Sequence, residues 1–102
     1  MDMKLKIEID NQQIARFCRR WKIRELSLFG SVLRDNFRPD SDIDVLVSFE
    51  PGGGITFDNR GEMQDELAEI FGRGVDLVEK EAVRNRFRRH NILTTREVVY
   101  AA

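Results

Sequence analysis

Cysteine is nearly missing: Cys18 stands alone among 102 residues. That excludes an internal disulfide and any cysteine-rich zinc site, and it fits a reducing compartment, by default the cytoplasm. No run approaches the roughly 20 apolar residues of a membrane span. The stretch from Met1 to Asp10 alternates charged with apolar residues, so it lacks the continuous hydrophobic core of a signal peptide. Charge of one sign is missing as well. The 17 Lys and Arg stand against 18 Asp and Glu, so net charge gives no general argument for nucleic acid or an anionic membrane, and any binding patch has to be local. There is no internal repeat. What is present, 41% apolar and 34% charged residues, is the balance of an ordinary soluble globular protein. The length suits a single domain over 1–102, large enough for one core and too small for a separate acceptor-binding domain.

Asp10 and Gln13 have the spacing of a capping box, and Ile14, Phe17, Cys18 and Trp21 follow at helical intervals, which predicts a first helix with Cys18 in the core. Leu26 to Phe29 is a short apolar run followed at once by Gly30 and Ser31, then by Val32, Leu33 and Arg34. This pattern reads as a strand, a tight turn and a helix start. Arg38, Pro39, Asp40 and Ser41 form a turn, and Ile43 to Phe49 is the strongest strand by its Ile, Val and Leu content. After the break at Pro51 to Gly54, Thr56 can cap a helix to about Phe71, with Met63, Leu67, Ile70 and Phe71 as its buried stripe and Gly72 and Gly74 ending it. Val75 to Val78 is a third strand. A further helix is expected from about Ala82 through Val83 and Phe87, and a last short strand at Val98 to Tyr100. Helices covering a small sheet make this an α/β or α+β sandwich, whose topology the strands alone leave open.

Chemistry concentrates at the starts of two strands. Asp42 and Asp44 are two apart, so their side chains leave one face while Ile43, Val45 and Val47 leave the other. Aspartate is a poor strand former, and burying a carboxylate without a partner costs several kcal/mol, roughly. Its place in an apolar strand therefore asks for a compensating cation. Asp76 repeats the pattern inside Val75 to Val78, and if the two strands pair, three carboxylates converge. Hard oxygen ligands of this kind suit magnesium, whose octahedron is completed by water and substrate phosphates. Gly30 lets the backbone approach closely, Ser31 and a helix start donate to phosphate, and Arg34 reaches the same phosphates or pairs with an aspartate. Each element also has a plainer reading. A Gly-Ser pair is commonly a turn, and Asp42 can cap backbone amides in one. Asp44 and Asp76 lie mid-strand, where a turn role is unavailable.

Gly30, Ser31, ten intervening residues, then Asp42, Ile43 and Asp44 resembles the signature of the DNA polymerase β-like nucleotidyltransferases. At residue frequencies near ~6%, four such fixed positions arise by chance in roughly one chain in a thousand of this length. Leu28 and Phe29 before the pair, Arg34 after it, Pro39 to Ser41 ahead of the aspartates and the Val75 to Val78 segment are similar to the minimal nucleotidyltransferase family in particular. The resemblance implies a small mixed sheet flanked by helices. It implies Asp42 and Asp44 as magnesium ligands, Asp76 as the third carboxylate that helps activate an acceptor hydroxyl, and Ser31 on the triphosphate. One departure is Asp35, where many relatives have glycine. The implied reaction is in-line attack of a hydroxyl on the α-phosphorus of a nucleoside triphosphate, with release of pyrophosphate.

Minimal members of this family are similar to the antitoxin halves of two-gene modules whose partner is a helical HEPN-type toxin, and some transfer AMP from ATP to a tyrosine of that toxin. Three functions follow as expectations. The first is a magnesium-dependent protein adenylyltransferase acting as an antitoxin. The alternative is a non-catalytic module that neutralises its partner by covering it. The third takes Arg84, Arg86, Arg88, Arg89 and His90 as a nucleic-acid patch. That patch is disfavoured because only Phe87 interleaves it, and charge runs on terminal helices are usually solvated or partner-facing. His90 alone reads as structural.

Overall fold

The computed structural model describes residues 8–33 and 41–102. Arg34, Asp35 and the turn residues Arg38, Pro39 and Asp40 lie outside them. In chain order the elements are α1 (Asn11–Arg20), β1 (Ile23–Phe29), a 3-10 turn (Gly30–Leu33), β2 (Ile43–Phe49), α2 (Arg60–Phe71), β3 (Val75–Glu79), a second 3-10 turn (Lys80–Ala82), α3 (Arg86–Thr95) and β4 (Glu97–Ala101). The four strands form one mixed sheet in the order β3-β2-β1-β4. β1 is antiparallel to both β2 and β4, whereas β2 and β3 are parallel and joined through α2.

α1 starts where the capping pair predicts. Asp10 Oδ1 accepts from the backbone N–H groups of Gln12 and Gln13, and the Gln13 side-chain amide donates to Asp10 Oδ2 at 2.9 Å. The Gln13 backbone bond, followed by its side-chain bond, holds the Asp10 carboxyl below its ordinary range. The apolar stripe of α1 then buries Ile14, Phe17 and Cys18. Burial pushes the Cys18 thiol up to about 12, as expected of an inert core residue. α1 and α2 are tied at the rim, where Trp21 Nε1 donates to Glu66 and the Arg20 guanidinium bridges Glu62 and Glu66.

Pleat alternation gives the sheet two unequal faces. Ile43, Val45 and Val47 of β2, Leu26 and Leu28 of β1, and Leu77 of β3 pack with Met63 and Leu67 of α2 and the α1 stripe in the main core. Each fully buried aliphatic side chain there contributes about 1.5–3 kcal/mol. On the opposite face Phe29 and Leu46 meet Val83 and Ile92 in a smaller cluster under α3. β3 is an edge strand whose outward carbonyls are occupied from α2. Arg60 Nη1 donates to Leu77 O at 2.8 Å and Gln64 Nε2 to Val75 O at 2.9 Å.

Three expectations change. Thr56 does exchange bonds with Asn59, its hydroxyl accepting from Asn59 N and its N–H donating to Asn59 Oδ1, and its carbonyl accepts from Arg60 N. The regular helix nevertheless begins only at Arg60, because this reciprocal pair closes a turn of its own first. Met63 and Leu67 are buried, but Ile70 and Phe71 are half-buried at the margin of the core. The last helix starts at Arg86 instead of Ala82. Asn85 caps it, Oδ1 accepting from Arg88 N at 2.9 Å. Val83 is extended and buried ahead of the cap, and Phe87 faces solvent.

Candidate functional site

β1 ends at Phe29 and the chain turns through Gly30 at φ +77°, a conformation that strains any residue with a Cβ. A second demand falls on the same glycine. A Cβ at Gly30 would collide with Oδ2 of Asp44. Asp44 is the second residue of β2 and stands in register with Phe29 on one side and Asp76 on the other. Because β2 and β3 are parallel and in register, Asp44 and Asp76 project side by side from the α3 face. Their neighbours Ile43, Val45, Val75 and Leu77 fill the main core behind them. Asp44 is half-buried and Asp76 exposed.

Asp42 stands just ahead of β2 and is exposed. Ile43 N donates to Gly74 O at 2.9 Å, which locks the start of β2 to the start of β3. The Asp42 carboxylate lies over Gly74, and a Cβ there would come within 2.5 Å of Asp42 Oδ1. Two of the three carboxylates therefore each lie against a glycine of a neighbouring segment. Oxygen donors crowded along one strand end in this way fit a hard divalent cation.

The expected convergence of all three carboxylates needs a correction. Among the described residues no group of three or more His, Cys, Asp or Glu closes into a cluster able to hold a metal by itself. Register brings Asp44 and Asp76 together, while Asp42 sits one step earlier against Gly74. A magnesium site needs only one or two carboxylates beside water and phosphate.

In front of Asp44 opens a cleft of about 980 Å³, at the upper end of the range for small-ligand sites. Phe29 and Ile92 form its floor. Gly30, Ser31 and Leu33 form one wall, and the α3 residues Phe87, Arg88, Asn91, Thr94 and Thr95 form the other. Gly30, Ser31 and Asp44 of the sequence-derived set thus line one cavity. Asp42 and Asp76 lie outside its lining, and Arg34 falls outside the described residues. The α3 wall was not foreseen. Its signal was the helical spacing of Phe87, Asn91 and Thr94, which the arginine run around it obscured. That run is not one surface either, since Arg89 donates inward to Lys80 O at 2.6 Å while Arg88 faces the cleft.

The nucleotidyltransferase domain model matches residues 11–99. The protein adenylyltransferase MntA of Thermococcus cleftensis is 35% identical over 81 residues, covering 79% of this chain and 77% of the relative. A solved structure assigned to the minimal nucleotidyltransferases superposes with a TM-score of 0.67 at 30% identity, over 84% of this chain and 85% of the other. A complex of a tri-AMPylated HEPN toxin with its MNT antitoxin from Shewanella oneidensis gives a TM-score of 0.64 at 22% identity, over 90% and 70% of the two chains. That last likeness is one of fold. With the matched model running from the first residue of α1 into β4, the chain belongs to the nucleotidyltransferase domain family and is a nucleotidyltransferase.

Proposed function

We propose that this protein transfers AMP from ATP to a hydroxyl of a partner protein, a tyrosine of a HEPN-type toxin, and thereby acts as that toxin's antitoxin in the cytoplasm, as one domain spanning 1–102. The observation that carries the reading is the in-register pair Asp44 and Asp76, with Gly30 flush against Asp44 at the mouth of the cleft. The relative named a protein adenylyltransferase and the fold shared with an MNT antitoxin in complex with an AMPylated HEPN toxin support the acceptor class.

In this reading Gly30 lets the Asp44 carboxylate lie against the turn, and Ser31 donates its hydroxyl and N–H to phosphate oxygens. Arg34, a permanent cation, is assigned to the same phosphates by the sequence resemblance. Asp42 and Asp44 would hold magnesium, which would supply charge neutralisation at the phosphates and a lowered pKa for the acceptor hydroxyl. Asp76 takes the acceptor's proton as its oxygen bonds to the α-phosphorus and the bond from that phosphorus to the leaving pyrophosphate breaks. Holding the acceptor in line beside the α-phosphate is the larger part of the catalysis.

The test is the intact mass of the protein encoded beside this one after co-expression with wild type or with the Asp42→Asn, Asp44→Asn double variant. Whole AMP increments with wild type alone are expected. A neighbour that co-purifies unmodified with both forms would replace transfer by neutralisation through binding.

A further inference from the structure

We propose that α3 is the nucleobase wall of the cleft, with Phe87 as the stacking plate and Asn91 as the group that reads the base. The inference rests on the nucleotide reading above and extends it to a helix outside the signature that defines the phosphate side.

Phe87 is 80% exposed and lines the cleft, so its ring is accessible to a ligand held there. Among the described residues three large apolar side chains are exposed, Phe57, Phe87 and Val98, and of these only Phe87 lines the cleft. Its position is fixed, because the Asn85 cap sets the first turn of α3. Successive residues of the same face follow at helical spacing: Phe87, Asn91 and Thr94, with Arg88 and Thr95 beside them.

The polar groups on this wall are few. Thr94 donates its hydroxyl to His90 O at 2.8 Å and Thr95 to Asn91 O at 2.7 Å, so both spend their donors on their own helix. That leaves the guanidinium of Arg88 and the carboxamide of Asn91. Neither side chain has a partner among the described residues.

Chemistry separates their tasks. A guanidinium is a permanent five-donor cation suited to phosphate oxygens. A carboxamide offers one acceptor and one donor side by side, which matches the amine and ring nitrogen of adenine. On the N7 edge, where adenine offers its N6 amine and N7, guanine presents two acceptors, O6 and N7, and leaves the Asn91 carbonyl facing an oxygen. Stacking on Phe87 is indifferent to base identity, so affinity and selectivity come from different residues.

The experiment is calorimetric titration of the full chain, with magnesium present, using AMP-PNP, its guanosine counterpart and inorganic tripolyphosphate. Phe87→Ala is expected to weaken both nucleotides about 10-fold or more, leave tripolyphosphate unchanged and be rescued by Phe87→Trp. Asn91→Ala is expected to erase the preference for adenine. Phe87 is exposed, so its truncation does not test the core. Wild-type AMP-PNP affinity in Phe87→Ala overturns the proposal, as does an equal loss for tripolyphosphate. Failure of wild type to bind tripolyphosphate overturns instead the phosphate site on which the proposal rests.

Discussion

Gly74→Ala separates the architecture of the site from the stability of the fold. Gly74 does not occupy the left-handed region, so alanine fits its backbone and gains about 0.4–1 kcal/mol by restricting the unfolded chain. The new methyl carbon would lie 2.5 Å from Asp42 Oδ1, well inside van der Waals contact, and displaces that carboxylate by roughly 1 Å. Asp42 is exposed and can swing away at little energetic cost. The melting temperature should therefore hold or rise by about 2–4 °C. A misplacement of about 1 Å at a catalytic group costs up to about 100-fold, near 2.7 kcal/mol. Gly30→Ala is the contrasting control. There the left-handed φ costs about 1–2 kcal/mol, and the half-buried Asp44 has less room to retreat, so stability and activity fall together. The assays are thermal unfolding, manganese affinity in the presence of AMP-PNP by electron paramagnetic resonance, and AMP transfer to the co-expressed neighbour. Wild-type manganese affinity and transfer in Gly74→Ala would refute the placement of Asp42 at the metal.

Two further outcomes test the scaffold. Cys18 holds its proton more tightly in the folded state, about 12 against an ordinary 9.0. Its contribution to stability is thus full below about pH 9 and declines as pH rises towards 12, because only the unfolded thiol ionises in that window. Denaturant midpoints of wild type and Cys18→Val compared across that range would reveal it, and rapid alkylation of the native thiol would contradict it. Replacing both Arg60 and Gln64 by alanine frees two outward carbonyls of edge strand β3. It should cost about 1–3 kcal/mol and promote concentration-dependent association through that edge. Light scattering that shows an unchanged mass, with an unchanged melting temperature, would count against this role.

What could be read from the sequence was what local rules determine. Ile43–Phe49 declares itself by composition, and its observed limits are those expected. The Asp10 and Gln13 spacing sets α1 through contacts within four residues. The Gly72 stop of α2 follows from its left-handed φ of 74°. The start of α3 misled because Val83 and Phe87 share a helical interval by coincidence. Val83 is buried from an extended segment and Phe87 is not buried at all, and the start is set locally by the Asn85 cap on Arg88 N, a signal that the apolar spacing overrode. At the site, the two-residue spacing of Asp42 and Asp44 is a local signal for a shared face. Whether Asp76 joins them depends on β2 and β3 pairing parallel and in register, a non-local fact. The opposing wall of the cleft was hidden for the same reason, since nothing near Phe87 in sequence refers to Gly30.

The unequal faces of the sheet explain why the acidic signature has its spacing. A carboxylate at position 43, 45 or 47 would enter the main core, where those residues are fully buried and an unpaired charge costs several kcal/mol, roughly. Position 46 is taken by Leu46, which with Phe29 seats Val83 and Ile92 beneath α3. Position 48 is taken by Ser48, buried and donating to Glu81, which leaves 42 and 44 as the positions of that parity open at the start of the strand. The same parity governs β3, where Asp76 falls beside Asp44 while Val75 and Leu77 point into the main core. A one-residue slip of either strand would exchange its carboxylates for its core residues, so the hydrophobic pattern that stabilises the sheet also enforces the alignment of the acidic groups. Fold and site are thus specified by one register, and a variant that loosens the pairing of β2 with β3 loses both.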